Sequence, residues 1–131
     1  MPDAIFVYGL LKPGLRLYPT VEPFVVRSTP GIASGRLYRA EFPAARFDED
    51  GDIEGYVLWL EPSRADEALR LLDELEDEGD MYERRTIAVR TEDGPVEAFA
   101  YHWLLALDGC PDVGRVWPAQ PQDVHGAAHE R

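Results

Sequence analysis

Apolar residues run unbroken from Ala4 to Tyr8 and stop at Gly9. A short apolar run closed by a turn residue predicts a strand buried on both faces, here residues 4–8. From Leu15 to Phe24 the pattern is punctuated by Pro19 and Pro23, which predicts a loop. Val25-Val26-Arg27 starts a second strand that Pro30-Gly31 is expected to end. Ile32 to Tyr38 alternates well enough for another, with Gly35 as a bulge. Phe42-Pro43-Ala44-Ala45-Arg46-Phe47 runs into an acidic turn, Asp48-Glu49-Asp50-Gly51-Asp52, and Ile53 to Leu60 is the clearest strand of the chain.

The period then changes. Pro62-Ser63 opens a helix in which Ser63 is the expected N-cap, with Asp66 three residues on as a weak capping box. The helical period carries to Glu76 or Asp77 and must stop by Gly79. Tyr82–Thr91 and Val96–Trp103 read as a hairpin around Glu92-Asp93-Gly94-Pro95. After Leu107 the chain is rich in Pro, Gly, Asp and Gln and is expected to be irregular or partly disordered. The division is therefore a domain over 1–107 and a C-terminal tail over 108–131. Many strands with one good helix predict an α+β fold rather than a doubly wound sheet.

On a wheel of about 100° per residue, Ala65, Ala68, Leu69, Leu72 and Leu75 share one arc, the face that packs on a sheet. Glu67, Glu74 and Glu78 fall on the far side, and Asp66, Asp73 and Asp77 on the flanks. Glu76 falls inside the apolar arc, four residues after Leu72. A carboxylate there is costly unless it is paired, hydrogen-bonded or protonated, and burial moves a carboxyl group toward the range useful for acid–base chemistry near neutral pH. The plain alternative is a helix already finished at Glu76, with the side chain turned to water. The other candidate is the turn after the first strand, Tyr8-Gly9-Leu10-Leu11-Lys12-Pro13-Gly14, where backbone N–H groups at a strand end suit an anion.

Composition narrows the class. The 131 residues, 45% apolar and 11% aromatic, are enough for one domain with a real core. A net charge of -12 and a pI of about 4.5 argue against nucleic acid and against anionic membranes. Twelve of the thirteen basic residues are Arg and only Lys12 is Lys, a bias given no functional weight. The single Cys110 excludes an internal disulfide. The start Met-Pro-Asp-Ala has neither a basic n-region nor an apolar h-region, and no apolar run reaches membrane-span length, so a cytoplasmic protein is expected.

Together these segments resemble the γ-glutamylcyclotransferase-like (AIG2-like) family. Tyr8-Gly9-Leu10-Leu11-Lys12-Pro13-Gly14 is similar to its YGTLxxG or YGSL loop, and Leu72-Asp73-Glu74-Leu75-Glu76 to its LDxxE segment. Met81-Tyr82-Glu83-Arg84 resembles the Y-x-R strand start, Phe42-Pro43-Ala44-Ala45 the YPA position and Ile53 to Leu58 the V-x-G-x-V-Y position. The order holds from residue 5 to about residue 103. The resemblance implies a small mixed β-barrel flanked by helices, with one open cavity. It implies release of 5-oxoproline from a γ-glutamyl amine or amino acid, by attack of the substrate's own α-amine on its γ-carbonyl. Glu76 would be the general acid/base, and Tyr8, Gly9, Leu10, Leu11, Tyr82 and Arg84 the substrate-binding set. No cofactor and no metal are implied. The expected partner is a small γ-glutamyl substrate, with no nucleic acid and no membrane, on a monomer or weak homodimer.

Two positions depart from the pattern. Leu10 stands where the family usually has Thr or Ser, and Glu78-Gly79 offers a rival alignment for the catalytic Glu. A non-catalytic ligand- or protein-binding module of the same fold is the alternative. Tyr101 joins Tyr8 and Tyr82 as a candidate cavity wall, and Arg84 is expected to pair with Glu76, to meet substrate or to stay solvated. The Asp48–Glu54 run lacks the glycine position and the flanking helices of a calcium loop, and reads as a solvated hairpin turn. His102, His125 and His129 have no metal-ligand spacing with Cys110.

Overall fold

Residues 3–117 are described by the structure, a computed structural model. Strand β1 (Ala4–Val7) is buried along its whole length because both of its faces are covered, Ala4 and Phe6 in one apolar cluster and Ile5 and Val7 in another. It pairs antiparallel with β5 (Asp52–Leu60) and parallel with β7 (Gly94–Trp103). With β2 (Val25–Ser34) and β6 (Tyr82–Thr91) these strands close a barrel in the order β1-β5-β2-β6-β7. Phe6, Ala33, Ile53, Val57, Val89 and Ala98 bring all five strands into one buried cluster. The alternate residues of β1, Ile5 and Val7, face a second cluster, where helix α2 (Ala65–Leu75) lays Ala65, Ala68, Leu69 and Leu72 against the sheet. Alternation at period 2 on the strand and 3.6 on the helix thus divides one apolar inventory between two packed layers.

A separate antiparallel sheet has the order β4-β3-β8, from β3 (Arg36–Arg39), β4 (Pro43–Arg46) and β8 (Asp112–Gly114). The two sheets are joined at Gly35. Its φ is +153°, and a Cβ added there would stand 2.7 Å from the Arg46 carbonyl oxygen, so no other residue fits this corner. Gly35 is therefore a corner between sheets rather than a bulge.

Several expectations are corrected. The punctuated stretch 15–24 contains a short helix α1 (Tyr18–Val21) and a 3₁₀ turn (Glu22–Phe24). Pro19 and Pro23 each sit in a first turn, where the missing N–H has no partner to lose. Pro30-Gly31 does not end β2, which runs through both residues. β6 joins β2 only at Ile32 and Ala33, so at Pro30 a single neighbour, β5, has to be satisfied. The 48–52 turn leads from β4 in one sheet to β5 in the other, and is not a hairpin. Ser63 lies in a 3₁₀ turn, Pro62–Arg64, with its hydroxyl on Glu61, and α2 has no side-chain cap.

The segment after Leu107 is not wholly irregular. β8 pairs with β3, the Glu54 N–H donates to the Arg115 carbonyl at 2.7 Å, and Trp117 is buried in the barrel cluster. Residues 118–131, with His125 and His129, lie outside the described residues. Among the described residues no helix is long and apolar enough to cross a membrane.

Candidate active site

The turn leaving β1 is a run of tight backbone bonds. Lys12 N–H donates to the Gly9 carbonyl at 3.1 Å, Leu15 N–H to Lys12 at 3.0 Å and Leu17 N–H to Leu10 at 3.0 Å. Among the described residues' loop bonds, the first N–H engaged is that of Lys12, so Gly9, Leu10 and Leu11 come before it with their N–H groups outside the turn's own bonding. Gly9 is not required for a left-handed backbone, since the positive φ of this loop falls at Gly14. It is required for close approach: a Cβ at Gly9 would stand 2.9 Å from Cγ and 3.0 Å from Cβ of Pro43.

The second component is the end of α2. Glu76 is the C-cap, its N–H on the Leu72 carbonyl at 2.8 Å. Glu78 N–H donates to the Asp73 carbonyl at 2.9 Å and Asp77 N–H to Glu74 at 3.3 Å, with Asp77 at φ +53°. These bonds make a Schellman ending with Asp, in place of the usual Gly, in the left-handed position. The helix has finished at Glu76, yet the side chain does not swing into water. Glu76 is 8% exposed and lines a cavity with Tyr8, Gly9, Leu10, Leu11, Tyr82 and Tyr101. Phe6, Val7, Leu17 and Pro43 complete the wall, and the cavity holds about 410 Å³ of empty space counted to its open mouth.

Three tyrosines frame this space, each with its hydroxyl proton committed. Tyr8 donates to the Tyr101 carbonyl at 2.8 Å, Tyr82 to the Pro43 carbonyl at 2.5 Å and Tyr101 to Asp73 Oδ1 at 2.7 Å. Burial and then the Asp73 hydrogen bond push the Tyr101 hydroxyl well above the ordinary tyrosine range, and Glu76 adds to that push. Tyr101 is therefore a fixed neutral donor.

Of the residues expected from the sequence, Tyr8, Gly9, Leu10, Leu11, Glu76 and Tyr82 converge on the cavity, and Arg84 does not line it. Arg84 pairs with Asp73 at 3.5 Å and lies 4.7 Å over the Phe99 ring. Glu78 is exposed, with its carboxylate accepting the Arg84 N–H at 3.3 Å. Asp73, placed on the helix flank by the wheel, is half-buried and bridges Tyr101 and Arg84. The LDxxE resemblance marks the position, but the role could not be read locally, because its partners come from β6 and β7. His102 is buried in β7, accepting the Phe47 N–H at Nδ1. Among the described residues no three His, Cys, Asp or Glu side chains are grouped to hold a metal ion.

A closed five-stranded barrel with a flanking helix, and a buried carboxylate facing a strand-end glycine loop, defines the class structurally. The family described as "Gamma-glutamyl cyclotransferase, AIG2-like" matches residues 5–119, and the chain belongs to that family. No curated protein matches closely enough to count as a relative. Among solved structures, an AIG2-like protein from Mus musculus is similar with a TM-score of 0.74 at 21% identity, over 93% of this chain and 92% of that one. YkqA from Bacillus subtilis is similar with a TM-score of 0.66 at 25% identity, over 81% of this chain. The chain spans only 37% of YkqA. The ytfP protein from Escherichia coli gives 0.61 at 24% identity, over 88% of this chain and 96% of that one.

Proposed function

We propose that this chain is a γ-glutamyl cyclotransferase that releases 5-oxoproline from a γ-glutamyl amine or amino acid. In this reading the α-amine attacks the γ-carbonyl carbon, a five-membered lactam forms and the γ C–N bond breaks. One proton must leave the attacking nitrogen and one must reach the departing nitrogen. Glu76 takes the first and returns it to the second. Nucleophile and electrophile belong to one molecule, so the site mainly holds a cyclising conformer. The N–H groups of Gly9, Leu10 and Leu11 bind the α-carboxylate or the developing oxyanion. Tyr8 and Tyr82 wall the substrate chain, and Arg84 acts at one remove by holding Asp73 against Tyr101.

The observation that supports this most is the meeting of a largely desolvated carboxylate, Glu76, with the Gly9–Leu11 loop in one cavity. Water exclusion strengthens such a proton relay, because little solvent competes for the carboxylate. The test is 5-oxoproline release from a panel of γ-glutamyl amines and amino acids, with Glu76→Gln and Glu78→Gln beside wild type. Glu76→Gln is expected to lower the rate about 10²-fold or more, and Glu78→Gln to leave it within a few-fold. Equal losses in both, or a fully active Glu76→Gln, would remove Glu76 from the role. Leu10, where the family usually has a hydroxyl, supports a second reading as a ligand-binding module without turnover. Silence of well-folded wild type across the panel would select it.

A further inference from the structure

Lys12 is the chain's only lysine and is 7% exposed. It follows directly on the Gly9–Leu11 turn, but it lines a different cavity. This is an open groove along the β2–β5 ladder and the end of β6, walled by Ile32, Glu54, Tyr56 and Arg90. Among the described residues the ammonium makes no hydrogen bond and no ion pair. A cation so placed is expensive unless something meets it. Burial lowers the Lys12 pKa, and the charge of Glu54 opposes that shift only in part.

Two of the neighbouring charges are already matched. Arg90 pairs with Asp52 at 2.7 Å, and Glu54 with Arg115 at 3.0 Å. Among the described residues, the lining charges outside an ion pair are the buried Lys12 and the exposed Glu92, one of each sign, set beside apolar surface from Ile32 and Tyr56. A single negative charge on a small, partly apolar body fits this pattern. A phosphate dianion does not, because Glu54 and Glu92 repel the second charge.

We infer that the groove is a binding site for a small monocarboxylate, its oxygens accepting charge-assisted hydrogen bonds from Lys12 Nζ. It is separate from the Glu76 cavity and does not depend on turnover there. The loop joins the two, since Lys12 N–H bonds the Gly9 carbonyl at 3.1 Å.

The test uses the full chain, with propionate as the probe and propionamide and inorganic phosphate as controls. In amide-resolved NMR titrations, propionate is expected to shift Ile32, Glu54 and Tyr56 saturably, at least tenfold more tightly than either control. Lys12→Met abolishes those shifts and Lys12→Arg retains them. A second arm needs no variant. An N-hydroxysuccinimide acetate labels only Lys12 and the α-amine, and saturating propionate should slow Lys12 acylation at least tenfold with the α-amine rate unchanged. Equal binding of propionamide, tighter binding of phosphate, shifts confined to Gly9–Leu11, no shift at all, or unprotected Lys12 acylation would each overturn the assignment.

Discussion

Gly9→Ala tests the geometry that sets the cavity. The added methyl would lie 2.9 Å from Pro43 Cγ and 3.0 Å from Pro43 Cβ, closer than real Cβ contacts allow. A pyrrolidine ring cannot rotate away as a flexible chain end would, so the loop or β4 has to move. Overpacking of this kind costs about 1–3 kcal/mol, and a value near 2 lowers the melting midpoint of a domain this size by roughly 6–10 °C. Because Gly9 has no positive φ, none of that cost is charged to backbone strain. Elsewhere, where an alanine fits, the same exchange is worth about 0.4–1 kcal/mol in favour of folding. The assay is urea unfolding of wild type, Gly9→Ala, Pro43→Ala and the double variant. Removing Cγ relieves the tighter contact, so the Gly9→Ala cost should fall by about 1 kcal/mol or more in the Pro43→Ala background. Equal costs in both backgrounds, within about 0.5 kcal/mol, would refute the collision. The same displacement should reach Tyr82, whose hydroxyl rests on the Pro43 carbonyl at 2.5 Å.

Two further outcomes follow from the helix end and from the buried imidazole. Asp77→Gly should stabilise the fold by about 0.5–1 kcal/mol in the same assay, because Asp77 occupies φ +53° in a position that glycine adopts without strain. A loss of stability would mean that the Asp77 side chain contributes more than its backbone costs. His102 accepts the Phe47 N–H at 3.1 Å, and burial, then Arg85, lowers its pKa below the ordinary histidine value of 6.5. The native state thus favours the neutral ring. Its contribution is present above about pH 6.5 and is lost as pH falls through the lower folded pKa. His102→Asn, which offers an oxygen to the same N–H, should show a shallower fall in stability between pH 7 and 5 than wild type. Parallel curves would exclude the imidazole as the source.

The elements legible in the sequence were those whose period and partners are local. The β6–β7 hairpin runs in register from Tyr82↔Trp103 to Thr91↔Gly94, so its turn and both strands lie within one stretch of chain. β5 declares itself because one face meets the barrel interior and the other meets α2. What could not be read depends on distant partners. β8 is three residues long with a single apolar residue, Val113, and exists because β3 offers an edge some seventy positions earlier in the chain. α1 was hidden by prolines that mark a helix start as readily as a loop. Lys12 carries no sign in the sequence that it is buried, because its burial comes from β2, β5 and β6 closing around the loop.

Glu76 and Glu78 show where a helical wheel stops being valid. At the C-cap, Glu76 keeps φ at −92° and ψ at 3°, close enough to helical that its bearing from Leu72 still approximates the wheel. The N–H bond to Leu72 confirms that continuity. One residue later the backbone turns to φ +53°, and no rotation of 100° per residue survives the change of hand. Glu78 therefore cannot be placed by counting, and the chain sends it back toward the start of β6, where it accepts the Arg84 N–H. A helix C-terminus gives an anion no help from the dipole, so the burial of Glu76 is not a product of local preference. It is imposed by packing: Leu69 and Leu72 seat the last turn on the sheet, and the Schellman bonds fix where the next side chain leaves the axis. The wheel puts Glu76 on the buried side because the apolar arc that anchors the helix also turns the capping carboxylate toward the cavity.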